Sequence, residues 1–245
     1  MSAPYHETLS IYETPVGRML LGGKDPVSEC LSKGMYWDEP VREAIEKHCR
    51  QDRFAIDIGA FVGHQTIHMA RRSKHVFSFE PQRVPYYQLQ ANLALNDIGN
   101  VTAFNVACYS DDAGAQPRDA DERGIGPRYS LKGNIAAAAV VIVEGPVDGE
   151  TVQAVRLDSA IPAGLDFGFI KCDAQGCDLP ALQGCMGIIT AHRPVIVFEF
   201  EHALALAHGS TWQDYEEFFV SIGYGLTLID AKDGQKRADY LAVSS

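Results

Sequence analysis

The chain has 245 residues, 46% of them hydrophobic, and a formal net charge of −11. That is enough apolar material for one sizeable α/β domain, and it excludes a largely disordered chain. The negative balance argues against nucleic-acid partners, which bind through clustered Lys and Arg; "RR" at 71–72 and "KR" at 236–237 read as solvated surface.

In chain order, the N-terminus lacks a basic start followed by an apolar core, and no window approaches the ~18 apolar residues of a membrane span. The cytoplasm is therefore the expected compartment, with no membrane association. Six cysteines without a C-x-x-C pair read as reduced core thiols. Residues 8–22 alternate loosely around Pro15-Val16-Gly17 and predict a hairpin. Residues 38–50 predict a helix, with Asp38 as cap, Pro40 in the first turn, and Val41, Ile45 and Cys49 on one face. Residues 1–50 thus read as an addition packed on a core of residues 51–245. In that core "FAIDI" (54–58), "HVFSFE" (75–80) and "VTAFNVA" (101–107) read as strands, alternating with helices at 64–72 and 84–96. Such βα units predict a parallel sheet with right-handed crossovers.

Residues 110–134 are rich in Asp, Gly, Arg and Pro and read as a long loop. "AAAVVIV" (137–143) and "TVQAVRL" (151–157) flank a turn and predict a hairpin. The whole of 110–150 is a candidate lid or insertion. Alternation resumes with a strand at 167–173, a helix at 178–190, a strand at 194–201 and a helix at 211–223. Residues 225–230 and 238–244 then predict a closing antiparallel pair. A mostly parallel α/β sheet that ends in a hairpin suits the methyltransferase version of the doubly wound fold better than the dehydrogenase version.

The stretch "DIGAFVG" (57–63) joins the first core strand to its helix. In doubly wound folds ligands sit outside the carboxyl ends of the strands, and the turn there needs small residues so that backbone can approach the ligand. Gly59, Ala60 and Gly63 supply them. The G-x-G-x-x-G of a dinucleotide site is missing, and Asp57 just before the turn would repel a pyrophosphate. That acid suits the cationic amino-acid end of S-adenosylmethionine. A tight turn with no ligand is the alternative. Glu80 ends the second strand about 20 positions after Gly59, the spacing at which an acid reaches ribose hydroxyls. Ala107 would leave room for an adenine ring, and Asp111 or a backbone N–H would offer it polar contacts.

These pieces, with "VRLDSAI", "FIKCDAQGCDLPALQGC" and "PVIVFEFE" in the same order, make the sequence resemble the FkbM-type S-adenosylmethionine-dependent methyltransferases over roughly residues 30–201. The resemblance implies a class I methyltransferase (Rossmann-like) fold. It also implies methylation of a hydroxyl on a small molecule or glycan, without naming the acceptor. By position it implies that Asp57, Gly59, Ala60 and Gly63 hold the methionine part of the cofactor, Glu80 the ribose, and the segment around Ala107 the adenine. "IKCDAQGCD" matches the family's Lys-x-Asp-x-Glu-Gly-x-Glu motif at Lys171, Asp173 and Gly176. Gln175 and Asp178 stand where the family has Glu, and Gln175 weakens any role that needs a second carboxylate there, such as metal binding.

Transfer to a hydroxyl needs a group that accepts its proton. Asp173, at the end of the fourth strand, is the first candidate, with Lys171 placed to pair with it or to serve as a structural ion pair. Glu199 and Glu201 end the fifth strand on one face, where carboxylates need partners or solvent. Glu199 reads as a catalytic or structural acid and Glu201 as a substrate contact. His202 is a possible base or a surface residue. His64 and His68 have ligand-like spacing but no third ligand nearby, so no metal is expected, and His64 is a candidate pocket residue. Tyr129 is a candidate substrate contact in the lid segment. N-methylation, an NAD-dependent oxidoreductase and a non-catalytic cofactor-binding protein are the rival readings. The oligomeric state is not legible.

Overall fold

The computed structural model describes residues 9–22, 25–110, 128–132, 139–143, 151–232 and 236–245. The chain opens with an antiparallel hairpin, β1 (Ser10–Thr14) and β2 (Gly17–Leu21), then two helices, α1 (Pro26–Ser32) and α2 (Glu39–His48). Asp25 caps α1 by accepting from the Ser28 N–H at 2.8 Å. Asp38 does not cap α2 as its position suggested. Its backbone is left-handed, with φ 53°, and its carboxylate is taken by Lys232.

The core alternates as expected: β3 (Phe54–Ile58), α3 (His64–Ala70), β4 (His75–Phe79), α4 (Arg83–Leu95) and β5 (Val101–Phe104). The predicted strand 101–107 breaks at Asn105, whose amide donates to the Glu80 and Pro81 carbonyls at 2.9 Å each and turns the chain off the ladder. The next strand, β6 (Ala107–Cys108), leaves the sheet to pair in parallel with β10 (Ala154–Val155). Within the segment read as a loop lies a strand, β7 (Arg128–Lys132). It pairs antiparallel with both β8 (Ala139–Val143) and β9 (Thr151–Val152). The predicted hairpin between 137–143 and 151–157 therefore does not form, because β7 lies between its arms.

A short helix, α5 (Leu157–Ala160), precedes β11 (Phe167–Cys172). The predicted helix 178–190 is two helices, α6 (Asp178–Gln183) and α7 (Met186–His192). The Asp158 carboxylate accepts the Gly187 and Ile188 N–H groups at 2.8 and 3.0 Å and starts the second one. Then follow β12 (Val195–Glu201), α8 (His202–Ala207), α9 (Trp212–Ser221), β13 (Tyr224–Lys232) and β14 (Arg237–Ser244). Thr211 and Asp214 form a reciprocal capping box at α9.

The main sheet has seven strands in the order β13-β14-β12-β11-β3-β4-β5. β12, β11, β3, β4 and β5 run parallel, while β14 pairs antiparallel with both β12 and β13. Burial on both faces explains the continuous apolar runs of β3, β4, β11 and β12. On one face Phe198 stacks with Phe219 and Tyr215. On the other, Ala55, Val76, Phe169 and Val197 pack against Val41 and Ile45 of α2. Among the described residues no helix is long and apolar enough to cross a membrane.

Candidate active site

The turn after β3 is shaped by residues that ordinary side chains cannot replace. Gly59 has φ 74°, and a Cβ there would lie 1.8 Å from the Asp173 carbonyl oxygen. Only glycine lets the ends of β3 and β11 approach this closely. Phe61 also adopts positive φ, 50°, an unusual conformation for a large residue and one that marks a constrained turn. Its N–H donates to Glu80 Oε2 at 2.7 Å, and the Gln82 N–H donates to Oε1 at 2.8 Å. Glu80 is 3% exposed. Burial pushes its carboxyl up to about 7, against the two N–H bonds that favour the ion. Around it opens a cavity lined by Gly59, Phe61, Phe79, Glu80, Gln82, Val106, Ala107, Cys108, Asp173, Gln175 and Cys177.

Behind the turn, Asp57 is fully buried. Its Oδ2 accepts from Thr66 Oγ1 at 2.5 Å and its Oδ1 lies 3.3 Å from Lys171 Nζ. Lys171 Nζ also donates to the Gly59 carbonyl at 2.8 Å and stands 3.9 Å from Asp173. Burial would lower the ammonium's pKa, but the Asp57 and Asp173 carboxylates outweigh it and raise it. Lys171 thus fastens the turn to β11 and neutralises Asp57. Gln175, itself at φ 52°, donates to Asp173 Oδ1 at 2.9 Å and to Glu199 Oε2 at 3.2 Å. Asp178 accepts the Ala174 and Gly176 N–H groups and holds this loop.

A second cavity, of about 330 Å³, adjoins the first and shares Gly59, Phe61, Asp173 and Gln175 with it. Its wall includes His64, Lys171, Glu199, Glu201, Arg237 and Asp239, with Pro26, Val27, Trp37, Asp38 and Val41 from the N-terminal helices. His64 is 8% exposed. Burial, reinforced by Lys171, drops its imidazole to about 3, so it is neutral near pH 7. Burial and then Asp173 and Asp239 hold the Glu199 carboxyl well above the usual range, although Arg237 lies 3.4 Å away.

The structure thus brings Gly59, Glu80, Ala107, Asp173 and Gln175 together around the first cavity. His64, Lys171, Glu199 and Glu201 meet around the second. Asp57, on β3, and Ala60 and Gly63, in the packed turn, line neither. His202 is exposed at the start of α8, edge-on to Phe200, and lines neither cavity. His68 turns to Glu46 at 3.2 Å, away from any shared site with His64. Asp111 and the Tyr129 side chain lie outside the described residues. Arg237 corrects the reading of "KR" as solvated surface, since it is half-buried against Glu199. Arg237, Asp239 and Asp38 escaped sequence reasoning because they reach the cavity from the two ends of the chain. Asp38, Asp230 and Asp239 are close enough to share a cation, and the Lys232 ammonium already sits among them.

A family model described as the methyltransferase FkbM domain matches residues 57–225. Among solved structures, the chain is similar to an FkbM methyltransferase from Methylobacillus flagellatus KT, at 16% identity and TM-score 0.53 over 82% of this chain and 50% of that one. It thus spans about half that protein's length. It is also similar to a Streptococcus mutans protein assigned to the methyltransferases and solved in complex with SAH, at 10% identity and TM-score 0.51 over 84% and 98% of the two chains. An rRNA methylase from Streptococcus thermophilus matches at 9% identity and TM-score 0.50 over 90% and 97%. At these identities the likeness shows the class I methyltransferase fold. No curated protein matches the sequence.

Proposed function

The chain belongs to the FkbM methyltransferase family, and on that premise we propose that it uses S-adenosylmethionine to methylate a hydroxyl of a small-molecule or glycan acceptor. One observation carries the reading: two cavities, one built around a buried acid and a glycine turn, meet at a wall that contains Asp173. When bound, S-adenosylmethionine supplies a methyl group already activated on a sulfonium sulfur. The residues of the first cavity fit it. The Glu80 carboxylate has acceptor sites beyond the two backbone N–H bonds and takes the ribose hydroxyls. Phe79, Val106, Ala107 and Cys108 give an apolar slot for the adenine. Gly59 lets backbone reach the ligand, while Asp57, Ala60 and Gly63 keep the turn in shape from behind.

In the second cavity Asp173 accepts the proton of the acceptor hydroxyl. The Gln175 amide fixes its direction, and Lys171 holds the strand end on which it stands. Holding the acceptor hydroxyl beside Asp173 supplies the orientation on which such a displacement depends. His64, Glu199, Glu201 and Arg237 contact the rest of the acceptor. Pro26, Val27, Trp37, Asp38 and Val41 close one side of this cavity. A wall rich in carboxylates favours a small molecule over the phosphates of nucleic acid. The expected place of action is the cytoplasm.

Calorimetric titration with S-adenosylhomocysteine, with NADH in parallel, tests the cofactor. Binding of the first alone is expected, and binding of NADH alone would overturn the reading. Asp173→Ala is expected to keep S-adenosylhomocysteine affinity and lose about 100- to 10,000-fold in methylation rate, followed by acceptor mass shift. Normal turnover would remove Asp173 from the chemistry. Glu80→Ala is expected to weaken S-adenosylhomocysteine roughly ten- to a hundredfold in a folded protein.

A further inference from the structure

The acceptor cavity is unbalanced in charge. Its lining includes five carboxylates, Asp38, Asp173, Glu199, Glu201 and Asp239, against two cations, Lys171 and Arg237. Lys171 is committed to the buried Asp57 and the Gly59 carbonyl, and stands 3.9 Å from Asp173. Lys232 answers Asp38 and Asp239 from behind the wall. Glu199, 7% exposed, has only the Gln175 amide and an Arg237 Nε at 3.4 Å. Opposing charge is short in this cavity, and a buried carboxylate that lacks it is costly.

A second, independent observation comes from His64. It lines the same cavity, is 8% exposed, and neither ring nitrogen has a hydrogen-bond partner among the described residues. A buried polar group left so is costly. Its imidazole is held neutral by burial, so it offers a lone pair and presents no charge to repel a cation. Neutral acceptor and excess carboxylate together describe the complement of an ammonium group, which has three donors and one positive charge.

Building on the methyltransferase reading of the site, we propose that the acceptor carries a protonated amine beside its hydroxyl, held by Glu199 and His64. An amino sugar has this chemistry. Arrival of the amine neutralises the wall and lets Glu199 ionise, with its proton passing to the buffer. Burial sets this ionisation first, then Asp173 and Asp178 after β11 and Asp239 on β14, with Arg237 on β14 opposing them.

The test is calorimetry on protein saturated with S-adenosylhomocysteine, using glucosamine and galactosamine, each against its N-acetyl form. Two buffers of different protonation enthalpy report the proton. The expected result is at least one amine binding about tenfold tighter than its N-acetyl form, with proton release at neutral pH. Glu199→Gln should lose both the preference and the release. Glu201→Gln, at a partly exposed position, should reduce the preference and serves if the first variant does not fold. Equal affinity for amine and N-acetyl forms, or binding of neither to protein that binds S-adenosylhomocysteine, overturns the proposal. Failure of S-adenosylhomocysteine itself, with amine preference intact, sinks the cofactor assignment and keeps this one.

Discussion

At Glu80 a carboxyl that is 3% exposed accepts two backbone N–H bonds, from Phe61 and Gln82. Burial favours the protonated form and the N–H groups favour the ion, which leaves the carboxyl at about 7. Ribose hydroxyls donate and bind the ion better, so the proposed ribose contact at Glu80 would link cofactor binding to proton loss. Affinity for S-adenosylhomocysteine should therefore rise as pH climbs through about 7 and fall on acidification. Glu80→Gln should bind weakly with no such slope. Titrations on both sides of that pH check it, and a flat profile in the native protein would take Glu80 away from the ribose. This residue was legible from spacing alone, because the distance from a glycine turn to the next strand end is set by the βα unit. Phe61 was not, since nothing in its side chain announces that its N–H orders the acid.

Among the elements, β11 is tied to its neighbour β3 by a buried ion pair. Its Lys171 reaches across to β3, where Asp57 is fully buried. Removing the ammonium leaves that carboxylate with only the Thr66 hydroxyl. Breaking one side of a buried pair costs about 3–5 kcal/mol, or roughly 6–20 °C in melting temperature for a chain of this size. Lys171→Met should show that loss, and Asp57→Asn in addition should restore part of it. Thermal unfolding of the single and double variants measures the coupling. Additive losses would mean that the pair does not hold the strands. The parallel strands themselves were easy to read, since burial on both faces writes apolar runs such as "VIVF" (195–198). The errors fell where a single polar contact redirects the chain. Asn105 ends β5 early, and Asp158 starts a second helix inside an apparently continuous one. Such contacts join residues far apart in sequence and leave no periodic signal.

At the scale of the molecule, the second cavity draws its lining from opposite parts of the chain, Asp38 near one end and Arg237 and Asp239 near the other, which is why its polar lining was the least legible part. Asp38 enters from the N-terminal helices in a left-handed conformation, and Lys232 from the C-terminal hairpin binds it together with Asp239 at 2.9 Å. Asp239 is 4% exposed, and burial raises its carboxyl to about 6 even with Lys232 beside it. A buried acid whose pKa is raised on folding favours the folded state at low pH and loses that contribution as pH rises through the folded value. Lys232 limits the loss by stabilising the ion. Lys232→Met should lose its Asp38 contact on both sides of pH 6, with no added loss from Asp239 well below it, where that acid is protonated in either protein. Well above it, the variant should be destabilised by a further ~2 kcal/mol, or roughly 4–8 °C in melting temperature. Melting curves of both proteins across that range give the answer. A deficit that does not grow with pH would mean that Lys232 does not stabilise the Asp239 ion, and the two ends of the chain would then be joined through Asp38 and packing instead.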